Sequence, residues 1–303
     1  MRLNLGGVLA VAAAAFLGGV LMTNYRVWPL PQIKEALHPD PTFGRLVSYP
    51  GKKRVACPAQ TPGTRVLLVG GQSNAANKGG QRFASHHPGQ VINYFDGQCF
   101  EAASPLLGAQ GSGGEYWTMV GDQLVEQGAD RVILIPTAIF ATSVRKWAPG
   151  GKLHPILLDA VKSASAAHLT ITDIVWDQGE EDHMSGTGGE EYADRFRALV
   201  QSLRDHGVGA PVYVATATRC GLSNWAPSNP VADAQRALPD ERLKIRRGPD
   251  MDAFRQTEDR YDDCHLSAVG QVKSAAAWTQ ILTGTNGKVA LHQANALVFR
   301  ARH

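Results

Sequence analysis

Five short apolar runs along the chain have the length and composition of buried β-strands. They are rich in valine, isoleucine and leucine, and they stop at glycine, proline or polar residues, as strands buried on both faces do. Each is therefore predicted to be a strand of one sheet. The runs are Arg65–Val69, Val91–Phe95, Arg131–Pro136, Asp173–Trp176 and Val212–Thr216.

Helical patterns alternate with these runs. One stretch places five apolar residues on a single helical face, namely Tyr192, Phe196, Leu199, Val200 and Leu203. Gly207 follows this stretch as a stop signal. Three further stretches are predicted helices: Glu115–Gln127, Leu153–His168 and Ala268–Leu282. Alternation of strands and helices predicts a mostly parallel sheet covered by helices on both faces.

The N-terminus carries an uncharged apolar stretch, Leu5–Met22, between Arg2 and Arg26. Eighteen helical residues span about 27 Å, slightly less than a hydrocarbon core of about 30 Å, and the wider uncharged stretch Leu3–Tyr25 would complete the span. The run exceeds the roughly 7–15 residues of a signal-peptide core, and no Ala-x-Ala site follows it. We therefore expect an uncleaved anchor with the rest of the chain exported; a cleaved signal peptide is the alternative.

Composition and segment boundaries indicate one folded domain. The 303 residues are 44% hydrophobic, enough for a large core. The segments are predicted as anchor or signal over 1–22, proline-rich lead-in over 23–60, folded domain over 61–285 and tail over 286–303. Charged residues make up 19% without a long charge run, and the net charge is +3, so no nucleic-acid arm is indicated.

Four cysteines fit an exported domain. Their number is even and no Cys-x-x-Cys metal spacing occurs, so disulfides are expected if the domain is exported, with buried thiols as the alternative. Three pairings are open. We favour Cys57–Cys99 and Cys220–Cys264, because Cys220 ends a strand pattern and Cys264 adjoins His265.

One serine stands at the end of the first apolar run, directly after two glycines and a glutamine. Far downstream, Asp262 precedes His265 by three residues. A serine on a tight turn plus an Asp-x-x-His supplies the nucleophile, base and orienting acid of a serine hydrolase. Ser73 capping a helix and His265 lying on the surface as an ordinary histidine are the plainer interpretations.

Four sequence blocks, taken in order, resemble those of the SGNH (GDSL-like) hydrolases. The similarity is greatest to the branch that contains the sialate O-acetylesterases and the acetylxylan esterases of carbohydrate esterase family 6. It extends over Arg65–Leu282. The blocks are Gly-Gln-Ser-Asn at 71–74, Gly-Ser-Gly-Gly at 111–114, Gln-Gly-Glu-Glu-Asp at 178–182 and Asp-Asp-Cys-His at 262–265.

A further segment, Thr142–Gly151, is similar to the family's Thr-Ser-x-x-x-Trp stretch. Phe140 and Ala141 stand before it where the family has two glycines, which changes the expected shape of the substrate pocket. The resemblance implies a three-layer α/β/α fold with a five-stranded, mostly parallel, flavodoxin-like sheet. It also implies that Trp147 contacts substrate at the pocket mouth; a core tryptophan is the alternative.

The resemblance assigns roles to the residues of these motifs in this sequence. Ser73 attacks an ester, His265 is the base, and Asp262 orients the imidazole. The oxyanion hole comprises the backbone N–H of Ser73, the backbone N–H of Gly113 (Gly114 as fallback) and the side-chain amide of Gln178. Glu180 and Asn74 are candidates for orienting the histidine or supporting its loop, and a purely structural hydrogen bond is an equal alternative for Glu180.

No metal or other cofactor is expected. The adjacent His86 and His87 do not converge on one ion without further ligands. Three functions stay open: a carbohydrate O-acetylesterase, an O-acyltransferase using the same acyl-serine, and a non-catalytic, membrane-tethered glycan-binding protein. The expected partners are an acetylated carbohydrate and, through the N-terminal segment, a membrane; no nucleic acid is expected.

Overall fold

The computed structural model describes residues 42–284. The predicted anchor Leu5–Met22 and the predicted tail 286–303 lie outside this range. Within it, no helix combines the length and the apolar character needed to cross a bilayer. The segment boundaries given above stay predictions.

A single sheet runs through the described residues. Its order is β1-β4-β3-β5-β2-β6-β7-β8. The six strands from β3 to β8 in that order are parallel, and β4 and β1 add antiparallel pairs at one edge. The strands are β1 (Arg54–Val55), β2 (Thr64–Gly71), β3 (Val91–Phe95), β4 (Gln98–Glu101), β5 (Arg131–Pro136), β6 (Asp173–Asp177), β7 (Val212–Thr216) and β8 (Ile245–Asp250).

Seven α-helices are found in the same range, with 3₁₀ turns at Gly221–Trp225 and Met251–Ala253. The four predicted helices are confirmed to within a few residues at each end. The helices are α1 (Trp117–Glu126), α2 (Val144–Trp147), α3 (His154–Ala166), α4 (Glu180–Met184), α5 (Gly189–Asp205), α6 (Pro230–Ala237) and α7 (Ala268–Thr283).

The predicted number of strands is wrong, although all five predicted strands are present as β2, β3, β5, β6 and β7. The sheet has eight strands, because β1, β4 and β8 join it. β4 follows a two-residue turn in which Asp96 and Gly97 both have positive φ, as a tight hairpin requires. β8 lies at an edge and reads Ile-Arg-Arg-Gly-Pro-Asp, so it lacks the apolar run by which buried strands are recognised.

The flavodoxin-like order is nevertheless present. β5, β2, β6, β7 and β8 are neighbours in that sequence, which is the order 2-1-3-4-5 when these five are numbered along the chain. β3, β4 and β1 extend the sheet beyond β5. Since β2 is central, the turn that follows it lies at the middle of the sheet's carboxyl edge.

Helices cover both faces of the sheet, which gives the three predicted layers. On one face, Trp117 of α1 contacts Trp278 of α7, with ring centroids 5.3 Å apart. On the other, Trp176 of β6 contacts Trp147 of α2 and Phe196 of α5, each at 5.7 Å. All five rings are fully buried. Burial of large aromatic side chains on both faces stabilises the sheet and fixes the strand ends that carry the site.

Candidate active site

The turn after β2 presents Ser73. Gly71 has φ 141°, and a β-carbon there would overlap the carbonyl oxygen of Asp177, so only glycine allows β2 and β6 to approach this closely. The Gln72 N–H then donates to the same carbonyl at 3.0 Å. The chain turns sharply at this point and leaves Ser73 at the carboxyl end of the central strand, largely buried.

Asn74 joins this turn to the segment that carries His265. Its Nδ2 donates to the carbonyl oxygen of Cys264 at 3.2 Å, and its Oδ1 accepts from the N–H of Leu266 at 3.2 Å. The residue next to Ser73 is thus bonded to both neighbours of His265. The same Nδ2 donates to Glu180 Oε1 at 2.7 Å. Asn74 thus contacts the loop on both sides of His265, and its functional role stays a prediction.

Asp262 and His265 form a close pair on a turn. His265 Nδ1 lies 2.7 Å from Asp262 Oδ2, and Asp262 Oδ1 accepts from the N–H groups of His265 (2.7 Å) and Cys264 (3.2 Å). A carboxylate in this position fixes the ring so that Nε2 is the nitrogen without the proton. Within the described residues no hydrogen bond links Ser73 to the imidazole, so the catalytic triad stays a prediction.

The environment shifts the pKa of both members of this pair. Desolvation lowers the pKa of His265, and the hydrogen bond and charge of Asp262 oppose that effect. For Asp262, desolvation alone would raise the pKa, but the hydrogen bonds and charge of His265 together lower it below the usual value. The imidazole is thereby kept neutral, and the carboxyl group ionised, at neutral pH.

Two buried acids lie behind the turn. Asp177 Oδ2 accepts from Tyr116 Oη at 2.6 Å, and Glu180 accepts from Asn74 as described above. Burial raises the pKa of both carboxyl groups, and the charge of Asp177 raises that of Glu180 further. No hydrogen bond joins Glu180 to His265 among these described residues. Glu180 is linked to the histidine segment through Asn74, and its role in orienting the histidine stays a prediction.

Arg260 and Tyr261 hold the same segment, and the sequence analysis missed both. The buried Arg260 guanidinium donates to the carbonyl oxygens of Cys264, Met251 (2.9 Å) and Phe254 (2.8 Å). The Tyr261 ring stacks on the His265 ring at 5.9 Å. Their position directly before the Asp-x-x-His motif marks them for attention, but the contacts that give them a role are visible only in the structure.

The predicted oxyanion-hole glycines are engaged in backbone pairing. The N–H groups of Gly113 and Gly114 donate to carbonyl oxygens of segment 77–79 at 3.0 and 2.9 Å. Gly111, with φ 94°, and Ser112 bulge out of this pairing. Their N–H groups have no acceptor within residues 42–284, and neither has that of Ser73. Gly113 as a donor stays a prediction, with Gly111 and Ser112 as further candidates on the same block.

Gln178 is fully buried at the end of β6. Its Nε2 donates to the Thr142 carbonyl oxygen at 2.8 Å and to Asp182 Oδ2 at 2.5 Å. Both amide hydrogens thus have acceptors, and the amide also lies 3.3 Å from Gln72 Oε1 in the turn before Ser73. The role of Gln178 in an oxyanion hole stays a prediction.

Trp147 lies in the core, which is the alternative that the sequence analysis left open. The ring is fully buried, meets Trp176 edge-on and donates from Nε1 to Thr142 Oγ1 at 2.9 Å. It therefore supports the Thr142 segment on which Gln178 rests. No exposed edge of Trp147 is available to contact a substrate.

Both favoured disulfides are confirmed. Cys57 is bonded to Cys99 and Cys220 to Cys264. The first bridge ties the β1 region to β4. The second ties the segment after β7 to the residue directly before His265.

The fold is a mostly parallel sheet covered by helices on both faces, with Ser73 in the turn after its central strand. A family model described as carbohydrate esterase, sialic acid-specific acetylesterase matches residues 63–282. The chain belongs to this family and is a carboxylic ester hydrolase with esterase activity on carbohydrates.

One curated relative and one solved structure are similar over much of the chain. "Probable carbohydrate esterase At4g34215" of Arabidopsis thaliana is 23% identical over an alignment of 187 residues, and the match covers 54% of this chain and 71% of the relative. The 1.6 Å X-ray structure of the Arabidopsis thaliana protein AT4G34215 superposes with a TM-score of 0.60 at 18% identity, covering 74% of this chain and 99% of that one. The structural likeness supports the fold.

Proposed function

We propose that this protein removes O-acetyl groups from a carbohydrate through a covalent acetyl-Ser73 intermediate. The observation that carries the proposal is the Asn74 bridge, because the residue next to Ser73 is bonded to both neighbours of His265. His265 in turn contacts Asp262. Acyl transfer through serine requires a nucleophile, a base and an orienting acid in one place.

The first half-reaction forms the acetyl-enzyme. Ser73 Oγ attacks the ester carbonyl carbon while neutral His265 takes the hydroxyl proton at Nε2, and Asp262 stabilises the imidazolium at Nδ1. The proposed donors to the oxyanion are the Ser73 N–H, an N–H of the 111–114 block and the Gln178 amide. Gln178 would have to turn one amide hydrogen away from its present acceptor. The bond from carbonyl carbon to sugar oxygen then breaks, and His265 returns its proton to that oxygen.

The second half-reaction releases acetate. Water loses a proton to His265 and attacks the acetyl carbon; collapse of the second tetrahedral intermediate breaks the bond to Ser73 Oγ, which takes the proton back. A sugar hydroxyl in place of that water would give acetyl transfer from the same intermediate. Hydrolysis and transfer therefore differ only in the acceptor.

Acetate release from a panel of acetylated glycans, with full-length protein, tests the proposal. Ser73→Ala and His265→Ala should each remove nearly all activity, and the double variant should be little worse, since triad members act as a unit. Acetyl groups recovered on an added sugar instead of in water would identify a transferase. Additive losses in the double variant would refute the shared mechanism.

We also propose that the domain works outside the cytoplasm, held by an uncleaved N-terminal anchor. Two disulfides support export, because such bonds persist in oxidising compartments. Intact-mass analysis of the membrane fraction should find the first 22 residues and no alkylatable thiol. A released form that begins after residue 22 would show a cleaved signal peptide, and four alkylatable thiols would refute export.

A further inference from the structure

Four of the five large apolar side chains that are exposed within the described residues lie on three segments that are linked, directly or through one another, to the residues around His265. Leu222 and Trp225 are the most exposed, at 89% and 84%. They belong to the 3₁₀ turn Gly221–Trp225, called the Trp225 turn below. Met184 ends α4, and Tyr261 stacks on His265. Exposed apolar side chains that cluster in this way mark binding surfaces more often than chance exposure does.

The Trp225 turn is fastened to the residues beside His265. The Cys220–Cys264 disulfide leads into it. The carbonyl oxygen of Asp263 accepts from the Gly221 N–H at 3.4 Å and from Asn224 Nδ2 at 3.2 Å. These bonds hold the turn in place relative to the histidine, although its two largest side chains make little contact with the protein.

The same turn is also fastened to the helix that follows Gln178. The Nε2 atom of His183, in α4, lies 3.1 Å from the carbonyl oxygen of Ser223. The turn therefore bridges two elements of the candidate site. A turn whose backbone is already held in place loses little conformational freedom when a ligand covers it, which favours binding.

The chemistry of the turn indicates what covers it. Residues 221–228 read Gly-Leu-Ser-Asn-Trp-Ala-Pro-Ser and contain no charged side chain. Basic residues, which attract anionic lipid headgroups, are missing from this stretch. An indole face flanked by amide and hydroxyl groups combines apolar contact with hydrogen bonding. The C–H faces and hydroxyl groups of a pyranose ring complement both.

Resting on the proposed function, we propose that the Trp225 turn is a glycan subsite that stacks a neighbouring sugar of an uncharged acetylated oligosaccharide. The enzyme would then prefer acetyl groups on a chain of sugars to acetyl groups on a free monosaccharide. Trp225 would determine substrate choice without taking part in bond making or breaking.

The test compares three substrate sizes in full-length wild type and Trp225→Ala. The substrates are 4-nitrophenyl acetate, monoacetylated xylose, glucose and mannose, and the matching neutral acetylated tetrasaccharides. Trp225→Ala should raise KM for the tetrasaccharides roughly three- to tenfold, the range expected for one aromatic contact, and leave kcat and 4-nitrophenyl acetate hydrolysis unchanged. Trp225→Phe should restore most of the affinity.

Val47→Ala is the matched control, because Val47 is the fifth exposed apolar side chain and lies outside the three segments. It should change none of these values. Calorimetric titration of the Ser73→Ala variant with the tetrasaccharides gives a binding readout independent of turnover, and Trp225→Ala in that background should weaken binding by the same factor.

Several results would overturn the inference. One is equal losses on all three substrates, which would make Trp225 a scaffold residue. Another is no loss on any of them, or no preference of wild type for the tetrasaccharides. Trp225-dependent flotation with phosphatidylcholine vesicles and unchanged glycan kinetics would assign the turn to a membrane surface. An inactive wild type on every ester would refute the proposed function itself, whereas an active enzyme indifferent to Trp225→Ala would refute only the subsite.

Discussion

Asp262→Asn tests the orientation of the proposed base most directly. The wild-type carboxylate serves three donors: Oδ2 faces His265 Nδ1 at 2.7 Å, and Oδ1 accepts from the N–H groups of His265 and Cys264 at 2.7 and 3.2 Å. Asparagine has the same shape but only one oxygen, and its NH₂ group cannot accept. Either the contact with His265 Nδ1 or the contacts with the two backbone N–H groups must therefore change.

The two orientations of the new amide differ in consequence. With its NH₂ toward the backbone, two N–H donors lose their acceptor at a net cost of about 0.5–1.5 kcal/mol each, since these bonds are exposed or part-buried. With its oxygen toward the backbone, NH₂ faces Nδ1, and that nitrogen must then accept. The second orientation is favoured, and it moves the ring proton to Nε2. Such a tautomer cannot take the Ser73 proton, and kcat should fall about 10⁴-fold, the size of the effect in serine proteases.

The assay is kcat for 4-nitrophenyl acetate, with two matched variants. Asp263→Asn makes the same chemical change one residue away, and asparagine tolerates the positive φ of 59° found there. It should retain wild-type activity. Glu180→Gln keeps an oxygen for Asn74 and should stay within about tenfold of wild type. If Asp262→Asn stays near wild type while Glu180→Gln collapses, the orienting acid is Glu180 and the reasoning fails.

Three further outcomes follow from the same residues. The acid limb of kcat/KM should have an apparent pKa below 6.5, because desolvation lowers the pKa of His265, and a limb above 7 would contradict this. Burial raises the pKa of Glu180 from 4.5, so the native state holds the carboxyl proton more tightly than the unfolded state does, and the stability of the fold should decrease as pH rises above 4.5. Glu180→Gln should make the thermal-unfolding temperature depend less on pH in this range, and an unchanged pH dependence would contradict the argument. Replacing Cys220 and Cys264 by serine should cost far more activity than replacing Cys57 and Cys99, although both bridges span similar separations of 44 and 42 residues and should stabilise the fold comparably. Equal activity losses would contradict that difference.

The sequence predicted the centre of the sheet well because its strands are buried on both faces. Val66–Val69 are fully buried, so every position is apolar and the run is unmistakable. β8 was not predicted, because it is not buried in this way. At the sheet edge, Arg246 and Arg247 face solvent, and Pro249 is tolerated there, so no apolar run or alternation marks it. An edge strand is identified by its pairing with the adjacent strand, and the local sequence pattern does not show that pairing.

The candidate site likewise contains residues that the sequence predicted and contacts that it did not. Ser73 and His265 were predicted from short motifs, because a strand–glycine–serine turn and an Asp-x-x-His spacing are local. The role of Arg260 depends on three backbone carbonyls, two of them seven or more residues from the motif's histidine, at Met251 and Phe254. Backbone acceptors carry no sequence signature. Gln178 was predicted as a site residue from its motif, but its hydrogen bonds to Thr142 and Asp182 became visible only in three dimensions.

The segment around His265 belongs to no helix or strand, and this explains how it is held. Asn74 and Arg260 bond to its backbone, the Cys220–Cys264 bridge fixes the residue before the histidine, and Tyr261 supports one face of the ring. These links attach to the backbone on either side of the imidazole and to one face of its ring, so the ring is held in position with its side chain still 17% exposed. The bridge that anchors the base also anchors the Trp225 turn. The turn is linked to the histidine segment through the Cys220–Cys264 bridge and the Asp263 carbonyl, and none of these links involves the Trp225 side chain. Binding and chemistry should therefore separate in the kinetics of Trp225→Ala.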